Sequence, residues 1–458
     1  MSPVDTKHAP PQPDERQGVL SGWGRTSPVT ATLVRPGDSS QVAALLAGEA
    51  PARGLIARGA GRSYGDAAQN GDGTVIDMTA LAGITALDSR TGEIEVGAGT
   101  TFAELLEALA QRGLTLPVVP GTAHLTVGGA IAADVHGKNH PRAGSIARQL
   151  RSFALCTPAD GEIEVSESEQ PELWAATLGG MGLTGVITAA TLRTIELRRP
   201  IAVADTDKVD TLEEAIELLD ADAHSHAIAW LDLMGRGRRF GRAVVTRSRE
   251  GEQPAGSSRL ELKPAQAGVA ARLPSGLLRP ASVRAYNRMR WLASPRRARE
   301  RPLAIDAALF PLDAIGAWNR LYGRRGLVQY QCAVPDGEEW TLRCLLEMLR
   351  SQRLPMYLAT LKRLGPGSGG MLSFPLKGWT LAIDIPARAP GLAAALDRAD
   401  LLVASSGGRV YLAKDARMSS ETLARMYPAL PQFLAVRARV DPHETLRSDL
   451  SRRLGLTR

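Results

Sequence analysis

The sequence predicts an α+β protein of more than one domain, and three observations carry that prediction. At 458 residues the chain exceeds what one simple core organises, so two or three domains are expected. Short alternating runs such as Thr74-Val75-Ile76-Asp77-Met78 and Glu93-Ile94-Glu95-Val96 read as strands, interleaved with capped helical segments. The character of the chain also changes near Pro200. Glycine-rich motifs precede it, and charged helical segments such as Thr211 to Leu219 follow it.

From the N-terminus, Met1 to Gln17 is rich in Pro and charge and has no apolar periodicity, which predicts a disordered tail. It lacks the apolar stretch of a secretory signal, and no apolar run approaches the roughly 18 residues that span a bilayer. A cytoplasmic location is the default expectation. Leu55-Ile56-Ala57 reads as a strand entering the loop Arg58-Gly59-Ala60-Gly61-Arg62-Ser63-Tyr64-Gly65-Asp66. Thr101 followed by Glu104 is a capping box opening a helix from Phe102 to Gln111. Leu116 to Gly121 leads into Thr126-Val127-Gly128-Gly129-Ala130-Ile131, whose small residues suit a helix or turn packed very close to a neighbour. Gly179 to Gly185 precedes a strand from Val186 to Leu192, and Trp379 to Ile385 reads as another. Gly407 to Asp415 brings glycine back together with a basic strand that carries Lys414.

The three cysteines, Cys156, Cys332 and Cys344, fit no zinc module, so free and mostly buried thiols in a reducing compartment are expected. A net charge of +7 points to an anionic partner: a phosphate-bearing ligand, a membrane surface or nucleic acid.

Each motif has a plain reading and a functional one. Gly180-Met181-Gly182-Leu183-Thr184-Gly185 is a literal G-x-G-x-x-G, but a β-branched run follows it where a dinucleotide fold needs a helix, which favours a tight turn. The loop at Gly59 to Gly65 can converge several backbone N–H groups on an anion beside Arg58 and Arg62, or it is a surface turn. His136 and His140 stand four apart without a third ligand, which favours a polar cluster with Lys138 over a metal site. The stretch from Arg272 to Arg301 is dense in arginine, with Val283, Tyr286, Met289 and Leu292 at every third residue. It reads as a solvated face, an anionic-membrane contact or, more weakly, a nucleic-acid surface. Lys414 either reaches solvent or is held in a dry pocket, where it would stabilise negative charge.

Taken together, Arg58-Gly-Ala-Gly-Arg-Ser-Tyr-Gly-Asp66, Pro120-Gly-Thr122, Thr126 to Ile131, Asp134-Val-His-Gly-Lys-Asn-His140 and Gly182-Leu-Thr-Gly185 resemble the FAD-binding domain of the vanillyl-alcohol-oxidase superfamily. Trp318 to Gly323, Gln329 to Gln331, Leu372 to Pro375, Tyr411 to Arg417 and Met426 to Pro428 extend the resemblance to the flavin subunits that oxidise decaprenylphosphoryl-β-D-ribose. The resemblance covers about residue 18 to the C-terminus. It implies a two-subdomain FAD-binding domain built from both chain ends (18–198 and 409–458), with a sheet-and-helix substrate domain inserted at 199–408. A basic mobile segment is expected at about 268–303, and a tail at 1–17.

The implied cofactor contacts are Arg58, Gly59, Ala60, Gly61, Arg62, Ser63, Tyr64, Gly65, Asp66, Ala67, Ala68, Gly121, Thr126, Val127, Gly128, Gly129, Ala133, Asp134, Val135, His136, Ile187 and Tyr411. Relatives that bind FAD covalently do so through a histidine or cysteine in the first loop. This loop has neither, so non-covalent FAD is expected. The implied chemistry is oxidation of the ribose 2-hydroxyl to a 2-keto sugar, with Lys414 and His136 as catalytic residues. Lys138, Gln331, Lys362, Thr380, Ala382 and Lys414 would meet substrate. A separate short-chain dehydrogenase/reductase would reduce the keto product on the way to the arabinose donor for cell-wall arabinan. A polyprenyl phosphate tail accounts for the basic charge and moves the arginine-rich stretch towards membrane contact, without nucleic acid. Two departures bear on the sugar: Ala382 and Thr380 stand where mycobacterial relatives have cysteine and asparagine, and Leu309-Phe310-Pro311-Leu312-Asp313 replaces Tyr-His-Pro-Leu-Asp. The same-class alternative is a sugar-alcohol or aldonolactone oxidase acting on a soluble polyol. The alternative from another class is a flavin-free binding protein for phosphate lipid or nucleic acid.

Overall fold

The computed structural model describes residues 14–197, 201–221, 224–250 and 276–458, a mixed α/β architecture with three principal sheets. The first sheet gathers β1 (Asp14–Leu20), β2 (Val29–Arg35), β3 (Leu55–Arg58) and β4 (Thr74–Asp77) in the order β1-β2-β4-β3, with α1 (Ser39–Ala47) between β2 and β3. Residues 14–17, expected in a disordered tail, are instead the start of β1 and pair antiparallel with β2 from Asp14↔Arg35 to Leu20↔Val29. The ladder is main chain, so an edge strand forms there without apolar side chains, and β1 is mostly exposed. The rest of the expected tail lies outside the described residues.

The second sheet is antiparallel, in the order β5-β6-β10-β8-β9. It is built from β5 (Ile84–Asp88), β6 (Glu93–Gly97), β8 (Leu150–Thr157), β9 (Gly161–Val165) and β10 (Val186–Arg193). Between β6 and β8 run α2 (Phe102–Ala110), the short β7 (Leu114–Thr115), α3 (Val127–Ala132) and α4 (His140–Ala143); α5 (Pro171–Thr177) precedes β10, and β11 (Ile195–Glu196) pairs with β7. The Thr101–Glu104 capping box forms as the spacing requires. Helix α3 is small-residue for a reason: a Cβ on Gly128 would stand 2.9 Å from the Ala98 Cβ.

The third sheet has eight strands in the order β15-β12-β14-β13-β17-β18-β16-β19. In chain order its region comprises β12 (Ile201–Val209), α6 (Leu212–Asp220), β13 (His226–Leu231), β14 (Ala243–Glu250), α7 (Pro280–Ala293), β15 (Arg297–Ala304) and α8 (Ile305–Leu309). It continues with β16 (Leu327–Pro335), α9 (Glu339–Ser351), β17 (Leu358–Leu364), β18 (Gly378–Pro386), α10 (Leu392–Ser405) and β19 (Arg409–Val410). Strand alternation divides its residues: Val245, Leu231, Leu361, Leu381, Ile383, Cys332 and Val334 are buried in the core with Leu342, Leu345 and Leu349 of α9, and their sequence neighbours face the other way.

The arginine-rich stretch, as far as it is described, is regular structure: helix α7 and edge strand β15. Residues 268–275 of the expected basic mobile segment (about 268–303) lie outside the described part. A second expectation is corrected at Lys414. Only Arg409–Val410 is strand; Leu412 to Lys414 is a turn, in which Lys414 N–H donates to Tyr411 O at 2.9 Å. The apolar character of that segment comes from burial of Tyr411, Leu412 and Ala413, which the sequence pattern does not separate from a strand.

The C-terminal helices α11 (Ser420–Met426), α12 (Leu430–Val440) and α13 (Asp449–Arg453) follow. Their connections return to the first sheet: Leu55 N–H donates to Thr445 O and Arg447 N–H to Leu55 O, both at 2.8 Å. Among the described residues no helix is long and apolar enough to cross a membrane.

Candidate active site

A cavity of about 720 Å³ is lined by residues from all three principal sheets and their loops. One wall is nearly bare main chain: Gly59, Ala60, Gly61, Ala67 and Ala68 after β3, and Gly121, Gly128 and Gly129 around α3. Two glycines there are steric requirements. A Cβ on Gly59 would stand 2.0 Å from Thr126 Oγ1, and Gly61 has φ +63° with the Arg58 guanidinium 2.3 Å from where a Cβ would be. Among the described residues, the backbone N–H groups of Ala60, Gly61, Arg62 and Ser63 have no protein acceptor. Four consecutive donors in a tight loop form a concavity suited to an anionic group. Arg62 adds positive charge beside them; its guanidinium lies 4.2 Å from the Trp23 ring centroid, and its Nε donates to His124 O at 3.2 Å.

The opposite wall is one face of the eight-stranded sheet. Every second residue points in: Val244, Thr246 and Ser248 on β14, His226, Ile228 and Trp230 on β13, and Leu358, Thr360 and Lys362 on β17. Ala382 on β18 and Gln329 and Gln331 on β16 continue the face. The register sets Gln331 and Thr360 on either side of Ala382, and Lys362 opposite Thr380. Helix α7 supplies Tyr286 and Arg290, with Arg290 stacked on Trp230 at 4.6 Å.

The lining is strongly cationic. It contains Arg62, Lys138, Arg290, Lys362 and Lys414, and among the described lining residues Asp313 is the one carboxylate. Asp313 accepts from Ala123 N–H at 2.8 Å. Burial drives the three amines down from the ordinary lysine value: Lys138 to about 7, Lys362 to about 8 and Lys414 to about 7. Lys362 also repels both of the others, and Asp384 pulls Lys414 back up. Each ammonium faces the cavity with protein around its other sides. Lys414 Nζ lies 3.8 Å from the Tyr64 ring centroid, and Lys138 Nζ donates to Ala308 O.

His136 is buried, and burial together with the neighbouring Lys362, His140 and Lys414 holds it far below the usual histidine value, so its ring is neutral. Its Nε2 lies 3.3 Å from Gln331 Nε2, which also donates to Thr380 Oγ1 at 3.2 Å. His136 Nδ1 is buried without a partner among the described residues. His136 and His140 do not share a helix. Their rings meet edge to face at 6.0 Å, and His140 Nδ1 accepts from Gly365 N–H at 2.9 Å. Among the described residues no three His, Cys, Asp or Glu side chains cluster as a metal site. The G-x-G-x-x-G at Gly180 is a tight turn with positive φ at Met181, Gly182 and Gly185, and it runs straight into β10.

Most of the expected site residues meet at this cavity: Gly59 to Tyr64, Ala67, Ala68, Gly121, Thr126, Gly128, Gly129, Ala133, Val135, His136, Ile187 and Tyr411, with Lys138, Gln331, Lys362, Ala382 and Lys414. Six do not line it. Arg58 holds the loop from behind, donating to Ala68 O at 2.9 Å and Ser21 O at 2.8 Å. Gly65 packs on Asp415, and Asp66 is ion-paired to Arg453. Val127 is core. Asp134, at φ 41°, takes the hydroxyls of Ser368 and Ser373, and so docks the 365–375 loop rather than a ligand. Thr380 is buried under Gln331.

Pro311, Leu312 and Asp313, from the segment expected to bear on the sugar, line the cavity too, and Trp23, His124, Trp318, Gln329 and Thr360 line it without having been among the expected site residues. Gln329/Gln331 and Thr360/Lys362 carried a readable signal, since polar residues two apart in otherwise apolar strands mark a polar face. Trp23 arrives from a distant segment and carried none.

Residues 30–166 match the FAD binding domain family. The chain is 36% identical to the decaprenylphosphoryl-beta-D-ribose oxidase of Mycolicibacterium smegmatis, over 95% of this chain and 97% of that one. It is 41% identical to an uncharacterized protein in the mprA 5' region of Streptomyces coelicolor, over 78% of this chain and all of that one. Identity to an L-gulono-1,4-lactone dehydrogenase of Mycobacterium tuberculosis is 26%, over 95% and 99%.

Proposed function

The chain belongs to the decaprenylphosphoryl-β-D-ribose oxidase family and is an FAD-dependent oxidoreductase, and from that premise we propose that it oxidises the ribose 2-hydroxyl of a polyprenylphosphoryl ribose to the 2-keto sugar. The observation that supports this reading best is the paired character of this cavity: a bare backbone wall with four N–H donors that have no protein acceptor among the described residues, opposite a wall where Lys362 of the sheet is joined by Lys138 and Lys414 from flanking turns.

The residues fit FAD. Ala60 to Ser63 would hold the pyrophosphate through their N–H groups, with Arg62 adding charge. Gly121 and Gly128 to Gly129 would let the cofactor approach the main chain closely. In this reading the first two sheets and the C-terminal helices are two subdomains of one cofactor domain, and the eight-stranded sheet is the inserted substrate domain. Bound FAD supplies a hydride acceptor, here for the hydride on the carbon that bears the hydroxyl.

The protein's part is to place the sugar and manage charge. Lys414 would position the hydroxyl and supply a positive charge to the site. Gln331, held by His136 and Thr380, offers its remaining amide capacity to a sugar oxygen. Lys138 and Lys362 bind the phosphate. The apolar residues Ile228, Trp230, Leu358 and Leu303 give the start of the prenyl chain a dry path. On α7, Tyr286, Met289 and Leu292 are at least half exposed among exposed Arg284 and Arg288. That combination supports contact with an anionic membrane surface. A short-chain dehydrogenase/reductase would then consume the keto product.

Bleaching of the bound flavin under nitrogen by short-prenyl phosphoryl ribose, and not by ribitol or xylitol, is the expected result. Bleaching by free polyols alone would overturn the substrate in favour of the soluble-polyol reading.

Two further outcomes follow from the lining. The loop from Arg58 to Asp66 has neither histidine nor cysteine, so flavin held without a covalent bond is expected. Acid precipitation should leave the yellow colour in the supernatant; colour in the washed pellet contradicts it. Ala382 offers no nucleophile to thiol-trapping inhibitors. Cys156 and Cys332 are buried with thiols pushed up to about 12, so alkylation of the native protein should be confined to Cys344. Ala382→Cys should gain one adduct per chain by mass spectrometry, since its thiol would face a cavity whose lining carries Lys138, Lys362 and Lys414. An unchanged adduct count would show that Ala382 does not face the cavity.

A further inference from the structure

Arg453, in the last helix, does not line the cavity, yet it joins two pieces that do. Its Nε and Nη2 donate to Asp66 at 2.9 and 2.8 Å, and its Nη1 donates to Asp415 Oδ2 at 2.9 Å and to Met418 O at 2.7 Å. Asp66 closes the glycine loop and Asp415 follows Lys414. The two segments already touch: Tyr64 N–H donates to Ala413 O at 2.8 Å, and a Cβ on Gly65 would stand 1.6 Å from Asp415 O. Asp415 Oδ1 meanwhile accepts from the N–H groups of Arg417 and Met418, at 3.1 and 3.0 Å, which fixes the turn after Lys414. Burial raises the Asp66 carboxyl, and the guanidinium opposes that rise. The contact spans 387 residues of sequence.

We propose that Arg453 is a positioning residue that fixes Lys414 over Tyr64, and the glycine loop beside them, by clamping Asp66 and Asp415 from behind the cavity wall. A planar guanidinium can hold two carboxylates in one geometry, one of them through a parallel pair of bonds; a lysine ammonium keeps the charge without the fork. Arg453→Lys therefore separates positioning from electrostatics. The Lys414 part rests on the role given to Lys414 above; the loop part rests on FAD binding alone.

The test uses full-length protein with Arg453→Lys, Arg453→Gln and Asp415→Asn, each also placed on Lys414→Ala. Titration of the apoprotein with FAD reads the loop, and bleaching by short-prenyl phosphoryl ribose reads Lys414. Arg453→Lys should melt within a few degrees of the native protein, yet weaken FAD and slow bleaching by about tenfold each, the scale of a lost charged hydrogen bond. Asp415→Asn should slow bleaching and leave FAD affinity within about twofold, since the Asp66 half of the clamp survives. On Lys414→Ala, Arg453→Gln should slow bleaching no further, because both act at one place. Native FAD affinity and bleaching in Arg453→Lys would overturn the proposal, as would effects of Arg453→Gln and Lys414→Ala that multiply. If the native protein does not bleach with the prenyl sugar, the substrate reading fails by itself. The FAD titration of Arg453→Lys then decides the clamp, an unchanged affinity overturning it.

Discussion

Replacing Lys414 with alanine is expected to slow bleaching of the bound flavin by about 10²–10³-fold, the usual consequence of removing one preorganised charge from a dry site. FAD content should stay near one per chain, because the loop donors from Ala60 to Ser63 that are proposed to hold it are untouched. The size of the effect follows from the surroundings. The ammonium sits 3.8 Å over the Tyr64 ring, in a turn fixed by the bonds of Lys414 and Asp415 N–H to Tyr411 O. It costs no reorganisation at the moment charge develops. Burial has lowered it to about 7, so it is easily desolvated and easily recharged by an anionic neighbour. Lys414→Met, which keeps the volume and removes the charge, should match alanine. Lys414→Arg should rescue little, since it replaces a compact ammonium with a planar, delocalised charge placed further along the side chain. Rapid mixing under nitrogen measures the rate directly. A Lys414→Ala protein that holds FAD and bleaches at the native rate would remove this residue from the mechanism.

Much of the cofactor side was legible in the sequence because glycine constrains locally. Gly59 and Gly61 are glycines for steric reasons that a nine-residue loop contains within itself and one neighbour, Thr126. The strands from Thr74, Glu93, Val186 and Trp379 were readable from alternation, and the Thr101–Glu104 cap from spacing. What was not legible depends on contacts between distant segments. Asp66 reads as a ligand contact at the end of a glycine loop, and only the fold reveals that Arg453 occupies it. Asp134 reads as part of the most specific string, yet its partners are Ser368 and Ser373. Lys414 reads as strand because burial makes a turn as apolar as a strand. Residues 14–17 read as tail because an edge strand is held by main-chain bonds that leave no mark on side-chain composition. The charges were visible as lysines, but nothing local shows that Lys138, Lys362 and Lys414 converge on one cavity.

That convergence predicts a second large effect. Affinity for a polyprenyl phosphodiester sugar should fall by about tenfold per pH unit between about pH 7 and 9, for each proton that binding requires. The sign follows from the free site. Burial lowers Lys138 and Lys414 to about 7 and Lys362 to about 8, so all three are ammonium groups at pH 6 and mostly neutral amines by pH 9. A phosphodiester keeps one negative charge throughout, so the ligand does not titrate and the slope belongs to the protein. Above pH 8, binding must first recharge an amine, and titration calorimetry in two buffers of different ionisation enthalpy should detect about one proton taken up. Stability of the ligand-free protein should run the other way. These amines have their ordinary value, near 10.5, in the unfolded chain and a lower one in the fold, so between about pH 7 and 10 the unfolded state binds more protons. Their contribution therefore becomes more favourable as pH rises, and the rise in melting temperature on ligand binding should be largest near pH 6 and smallest near pH 9. Lys138→Gln with Lys362→Gln should flatten both profiles while sparing FAD, whose pyrophosphate is proposed to meet the loop on the far wall. A dissociation constant that stays level from pH 6 to 9, or tightens as pH rises, would mean that the phosphate is not held by these lysines.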